Sequence, residues 1–257
     1  MLNISHIEHN SEGYGKGTRT VVFFKGCSLK CPWCCNPENV SFSPAFMKIE
    51  GISEPVVYGR EYSVDEVFEE IMQDKEIFDR TNGGVTFSGG ECMLHADSIL
   101  PLAKKLKENG ISITIDTAGN VRFNAYNKLN PYVDEYLYDY KTASEGKFSR
   151  IVGGDLTLVT DNLKKLISTG ANVRIRVPLI PDFNISSGAV SHICDNLVHL
   201  GIKDIDLIPF HRDASGKYKA LGLDYPYMNV SEIDDETLEH LKSEYKKFFN
   251  IRIECNL

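Results

Sequence analysis

Six short apolar runs alternate with helix-patterned stretches along this chain of 257 residues, and that alternation restricts its fold more than any other feature. The runs fall at residues 20–24, 85–87, 111–116, 135–140, 172–179 and 205–210. A capping box, Ser63-Val64-Asp65-Glu66, opens a predicted helix that continues to about Asp79. Further helices are predicted over 98–109, 123–129, 158–168 and 190–200. Pro101 suits the first turn of the first of these, and Gly110, Gly170 and Gly201 supply C-terminal stops. An acidic-to-basic helix from Asp234 to about Phe249 and an edge strand at 251–254 complete the pattern. Strands separated by helices imply parallel pairing with right-handed crossovers. An open doubly wound sheet and a barrel both satisfy that pattern. The length suits one domain over 1–257, with a core at about 16–211 and a C-terminal loop and helix over 212–257.

Directly after the first run come four of the seven cysteines: Cys27, Cys31, Cys34 and Cys35. Cys27, Cys31 and Cys34 form a C-x₃-C-x₂-C triplet. Three thiolates satisfy only three of the four irons of a cubane cluster, which leaves one iron open to a small molecule. Structural zinc would want a fourth ligand, usually from a second paired knuckle, and no second C-x₂-C occurs. The odd total and the scatter of the remaining cysteines disfavour a disulfide framework. Cys35 is surplus to the triplet and is expected to be a packed thiol, because adjacent residues do not easily face one cluster together.

The other polar motifs cluster at the ends of successive strands, which is where barrel active sites lie and which favours the barrel. Ser88-Gly89-Gly90-Glu91 follows the second strand, and paired glycines let a ligand approach the backbone closely. Asp116-Thr117-Ala118-Gly119 follows the third strand and Asp139-Tyr140-Lys141 the fourth. Arg174 and Arg176 share one face of the fifth strand; an arginine facing the interior requires an anionic partner. His211 follows the sixth strand, ahead of Ser215-Gly216-Lys217-Tyr218. Each residue alone reads as a turn, a packed side chain or a surface charge. In register with the strand order, they read as one site.

Together the triplet, the Gly-Gly-Glu segment and these strand-end signatures resemble the radical S-adenosylmethionine (SAM) enzymes. Within that superfamily the chain is most similar to the activating enzymes of glycyl radical enzymes, over residues 7–227. Trp33 and Asn36-Pro37-Glu38 match that family's C-x-W-C-x-N-P-E form. The resemblance implies a partial (β/α)₆ barrel and one 4Fe–4S cluster on Cys27, Cys31 and Cys34. It implies SAM held by Trp33, Ser88, Gly89, Gly90, Glu91, Asp116, Asp139, Lys141, Arg176 and His211, with a monovalent cation at Asp116 and Asp139. The activity implied is reductive SAM cleavage to a 5′-deoxyadenosyl radical, which takes the α-hydrogen of a glycine in a partner glycyl radical enzyme. Flavodoxin or ferredoxin would supply the electron. Larger members insert a second cysteine-rich module after the triplet; here only Cys35 lies between Cys34 and Ser63, which matches the minimal, one-cluster type. Two departures stand out. Cys92 occupies the place of the usual proline after Glu91, and Tyr14 stands where the family carries an aspartate ahead of Gly15-Lys16-Gly17-Thr18-Arg19.

A net charge of −8 argues against general nucleic-acid binding. No stretch has the length of a membrane span, and the N-terminus lacks a signal pattern, so a monomeric cytoplasmic protein is expected. Lys16, Arg19, Lys25 and Lys30 are positioned by sequence to form a docking patch for an acidic electron donor. Two other functions fit parts of the pattern: a different radical SAM reaction on a peptide or small molecule, and a non-catalytic iron–sulfur electron carrier or sensor. The second would not need the Gly-Gly-Glu, aspartate, lysine and arginine set.

Overall fold

A computed structural model describes residues 1–254, so the expected domain end at 255–257 lies outside the described residues. The strands are β1 (Leu2–Ser11), β2 (Arg19–Phe24), β3 (Ala45–Met47), β4 (Val56–Tyr58), β5 (Arg60–Tyr62), β6 (Gly84–Gly89), β7 (Ser112–Thr117), β8 (Glu135–Asp139), β9 (Val173–Leu179), β10 (Asp204–Pro209) and β11 (Asn250–Ile253). The helices are α1 (Val64–Met72), α2 (Lys75–Thr81), α3 (Ala96–Glu108), α4 (Asn124–Leu129), α5 (Glu145–Lys147), α6 (Leu156–Ser168), α7 (Ser187–His199), α8 (Ser215–Leu221) and α9 (Asp235–Lys246). Nine strands form one sheet in the order β11-β10-β9-β8-β7-β6-β2-β1-β5, and β3 and β4 form a separate hairpin.

The six expected strands are β2 and β6 to β10, paired in parallel in chain order. This sheet keeps two edges and so is the partial (β/α)₆ barrel rather than a closed one. Three strands extend it: β11, the expected edge strand, pairs parallel with β10, and β1 and β5 lie beyond β2. The long β1 pairs antiparallel with both β2 and β5, and the sequence reading did not include it. The alternation along β1 is broken by register shifts between Ile4 and His6 and between Glu8 and Ser11, each of which moves the following side chains to the other face.

Strand alternation sorts the side chains. Val22 and Phe24, Val85 and Phe87, and Ile113 and Ile115 point outward into the apolar layer beneath the helices, and all are fully buried. Each such side chain contributes roughly 1.5–3 kcal/mol through burial. The opposite face is unusually polar: Arg19, Thr86, Thr114, Asp116, Asp139, Arg176 and Asp206 share it by register.

The single helix expected to run from Ser63 to Asp79 is instead α1 and α2. The capping box is present as read, with Ser63 Oγ accepting from Glu66 N at 3.1 Å. The interruption comes at Asp74, whose carboxylate is drawn to His9 Nδ1 at 2.6 Å and to Thr20 Oγ. Pro101 lies inside α3, not in its first turn, because the helix begins at Ala96.

Candidate functional site

Residues 24–40 build the site's roof. Past β2 the chain turns at Gly26, and its amide donates to Asn39 O at 2.8 Å while Cys27 N donates to Val40 O at 3.0 Å. The cysteine loop is therefore closed on itself at both ends. Lys30 N to Val152 O (2.8 Å) and Ser28 Oγ to Asn120 O (2.9 Å) tie it to the neighbouring strand-end loops. Cys27, Cys31 and Cys34 all line one cavity of about 190 Å³, together with Ser88, Gly89, Gly90, Asp116, Asp139, Lys141, Arg176 and His211. Residues from the ends of β2, β6, β7, β8, β9 and β10 thus converge, as the sequence order implied.

Burial pushes the Cys27 thiol up to about 12 and raises Cys31 and Cys34 as well. Such sulfurs become thiolates by exchanging protons for iron. Among the described residues, no three His, Cys, Asp or Glu side chains converge tightly enough for a single metal ion.

Opposite the cysteines stands an ion-pair lattice. Arg176, 3% exposed, places Nη2 against Asp116 Oδ1 and Nε 2.9 Å from Asp139 Oδ1. Ser88 Oγ donates to Asp116 Oδ2 at 2.8 Å, and Lys141 Nζ to Asp139 Oδ2 at 2.8 Å. Burial raises the Asp116 carboxyl in spite of Arg176. Burial acts on Asp139 in the same direction, but Arg176 and Lys141 outweigh it and hold that carboxyl below the usual range. All four carboxylate oxygens have a partner, and the guanidinium and the ammonium offset the charge of the aspartate pair. Arg176 Nη1 is buried and has no partner, a donor poised for an incoming anion such as an amino-acid carboxylate. An orphan donor on a residue that lines a cavity walled by three thiols fits SAM beside an iron–sulfur cluster.

Gly89 and Gly90 are required by space. A Cβ on Gly89, at φ +115°, would stand 2.2 Å from Phe24 N; one on Gly90 would stand 2.2 Å from Gly26 O. The close approach that sequence assigned to a ligand is used first to bring β6 against the cysteine loop. Glu91 departs further from expectation. Its carboxylate is absent from the cavity wall and accepts from Thr117 Oγ1 (2.8 Å), Ala118 N (3.0 Å) and Met93 N (3.2 Å). It braces the loop after β7 against the loop after β6, and burial raises its pKa to about 7.

Trp33 lines the cavity and packs on Phe183 at 4.6 Å and Tyr227 at 5.7 Å between ring centroids. His211 also lines it; its Nδ1 lies 3.1 Å from Asp213 Oδ2 without the alignment of a hydrogen bond. Cys35 is not the packed thiol expected. It is half-buried in the wall shared with a second cavity of about 580 Å³, which Tyr14, Asn36 and His211 also border. Tyr14 reaches both spaces because residues 14–19 fold into the polar lumen, where Thr86 Oγ1 donates to Tyr14 O at 2.6 Å. Cys92 is fully buried, 3.2 Å from Phe87 O.

Two charged residues read otherwise in sequence. Lys25 is fully buried with Nζ on the Glu38 carbonyl, and Arg19 is buried with Nε on Thr86 Oγ1 at 2.6 Å. The basic docking patch therefore does not form; of its four members only Lys16 and Lys30 are exposed. Arg174 pairs with Glu135 at 2.9 Å and lies outside the cavity wall.

A strand-end site of this kind, with three cysteines beside a polar cradle in a partial barrel, defines the radical SAM class. Comparison with known proteins agrees. Residues 14–150 match the family model described as a 4Fe-4S single cluster domain. The chain is 36% identical over 240 residues to the pyruvate formate-lyase 2-activating enzyme of Escherichia coli, covering 86% of this chain and 82% of that one. It is 30% identical to the pyruvate formate-lyase-activating enzyme of Clostridium pasteurianum, covering 96% and 98%. The choline trimethylamine-lyase activating enzyme of Oleidesulfovibrio alaskensis is 30% identical, with 91% of each chain covered. A solved radical SAM methyltransferase from Sphaerobacter thermophilus shares the fold at TM-score 0.63 and 15% identity, over 92% of this chain and 66% of that one. The chain belongs to the glycyl-radical-enzyme activating enzymes of the radical SAM superfamily.

Proposed function

We propose that this protein installs a glycyl radical in a partner enzyme by way of reductive SAM cleavage. The observation that carries the reading is one cavity lined both by the three cysteines and by Arg176 with its two aspartates, Arg176 keeping an unpartnered Nη1. The cluster and SAM supply the electron and the 5′-deoxyadenosyl radical, chemistry that protein side chains cannot perform themselves.

The chain's own residues place and shield. Cys27, Cys31 and Cys34 hold three irons. Arg176 takes the carboxylate of SAM through Nη1 while Asp116 and Asp139 keep its guanidinium fixed. Ser88, Gly89 and Gly90 offer backbone and hydroxyl oxygens to the ammonium group. Lys141 locks Asp139, and His211 and Trp33 border the nucleoside end. Holding the reacting groups at contact distance and away from water is the main contribution of such a site. The glycine-bearing segment enters by the second cavity, past Tyr14 and Cys35, where the two spaces share a wall. Tyr14 in place of an acid there alters which partner segment fits. A low-potential flavodoxin or ferredoxin delivers the electron from the cysteine-loop side, near exposed Lys30. The protein works as a cytoplasmic monomer without nucleic acid or membrane; among the described residues no helix is long and apolar enough to cross a bilayer.

The test is anaerobic. The reconstituted, reduced protein with SAM and a candidate glycyl radical enzyme should yield 5′-deoxyadenosine and a glycyl electron-paramagnetic-resonance doublet. SAM cleavage with a modified small molecule or peptide, and no doublet with any candidate partner, would move the function to another radical SAM reaction. A stable cluster with no SAM cleavage would leave only an electron carrier.

A further inference from the structure

Two segments some 180 positions apart meet at a single ammonium group. Lys217, in α8, places Nζ 2.7 Å from Asn36 Oδ1 and 2.9 Å from Glu38 Oε1. Asn36 follows the cluster cysteines, and Glu38 has a side chain with 0% exposure, against 39% for Lys217. Glu38 Oε2 has no partner at all. The other nearby cation, Lys25, spends its Nζ on the Glu38 backbone carbonyl. Among the described residues, Lys217 is therefore the one cation bonded to the fully buried Glu38 carboxylate.

The turn holding that carboxylate is also the second wall of the cysteine loop. Its residues Asn39 and Val40 accept the amides of Gly26 and Cys27. A shift of the turn moves Cys27 from one end of the loop and Cys34 from the other. On the far side, α8 belongs to a cap over the site: Tyr218 stacks on Tyr225 at 4.5 Å, and Tyr227 meets Trp33. Ala214 and Lys217 border the second cavity, beside Cys35 and Asn36.

We infer that Lys217 is a positioning residue, which fixes the cluster-bearing loop from the C-terminal cap by neutralising buried Glu38 and orienting Asn36. This rests on the cluster reading for its consequence, though the latch itself is a property of the protein alone. A buried carboxylate stripped of its only cation is costly, whereas an exposed ammonium stripped of its carboxylate turns to water. The two halves of the pair are therefore unequal. Loss of Lys217 opens the turn, and loss of the Glu38 charge is mild.

The experiment compares Lys217→Met, Lys217→Arg, Glu38→Gln and the double variant Lys217→Met/Glu38→Gln. In the metal-free chain, amide exchange over residues 34–40 should rise tenfold or more in Lys217→Met. It should stay near the parent in Glu38→Gln and Lys217→Arg, and return toward the parent in the double variant. In the reconstituted protein, the rate of iron loss to a chelator should follow the same order. Near-parent exchange in a folded Lys217→Met would overturn the inference, as would Glu38→Gln proving equally damaging. Should Lys217→Met not fold, recovery of folding in the double variant supports the latch, and failure of both overturns it. If the parent binds no cluster, the proposed function fails while the exchange pattern still decides the latch.

Discussion

Glu91 Oε1 lies 2.8 Å from Thr117 Oγ1, and this bond joins the loops that follow β6 and β7. The carboxyl sits in a fully buried position, with its pKa raised by burial from 4.5 to about 7. The folded state thus keeps a proton that the unfolded chain releases near pH 4.5. Its contribution is complete below pH 4.5 and is lost as pH rises to about 7. At about 1.4 kcal/mol per pKa unit, the loss amounts to ~3 kcal/mol. Denaturant unfolding of the metal-free protein at pH 5 and pH 8 should show this fall relative to Glu91→Gln, which has no proton to lose. Parallel pH profiles for the two proteins would refute it.

Arg176 balances two carboxylates at once. Arg176→Met leaves Asp116 and Asp139 buried without their shared guanidinium, and should lower stability by ~3–5 kcal/mol. Adding Asp139→Asn should restore part of that loss. The same single variant should weaken SAM binding at least tenfold, read by anaerobic equilibrium dialysis. SAM affinity equal to the parent's would remove Arg176 from the carboxylate site.

A methyl group on Gly90 has nowhere to go between Gly26 O at 2.2 Å and Asn39 O at 2.7 Å. Gly90→Ala should cost ~3 kcal/mol, toward the upper end of single-residue effects. Because both contacts hold the cysteine loop, iron per chain after reconstitution should fall below half of the parent value. Gly188→Ala, in α7 with open space around its Cβ, should leave both quantities nearly unchanged.

Cys35 borders the cavity without belonging to the triplet. Cys35→Ala should keep the iron content and the visible cluster absorbance, whereas alanine at Cys27, Cys31 or Cys34 should abolish both. Cluster loss in Cys35→Ala with retention in Cys34→Ala would reassign the third ligand.

The strand–helix alternation and the strand-end motifs were legible in sequence because both follow local rules: periodicity marks a buried face, and polar residues at strand ends converge once parallel strands pair. Residues 20–24 and 205–210 became β2 and β10 on that basis, and the cysteines, Asp116, Asp139, Lys141 and Arg176 reached one cavity. The long β1 escaped notice because register shifts after Ile4 and Glu8 break its two-residue period.

What tertiary structure alone decided is the use of each charge. Nothing in the order of residues tells whether Lys25 reaches solvent, yet it is buried against Glu38's carbonyl. Glu91 faces a loop rather than the cavity, and Arg176 bonds to both Asp116 and Asp139. Residue type fixes which charges exist. Their partners depend on distances set by chain segments far apart in sequence, and in a low-dielectric interior those distances determine the energy.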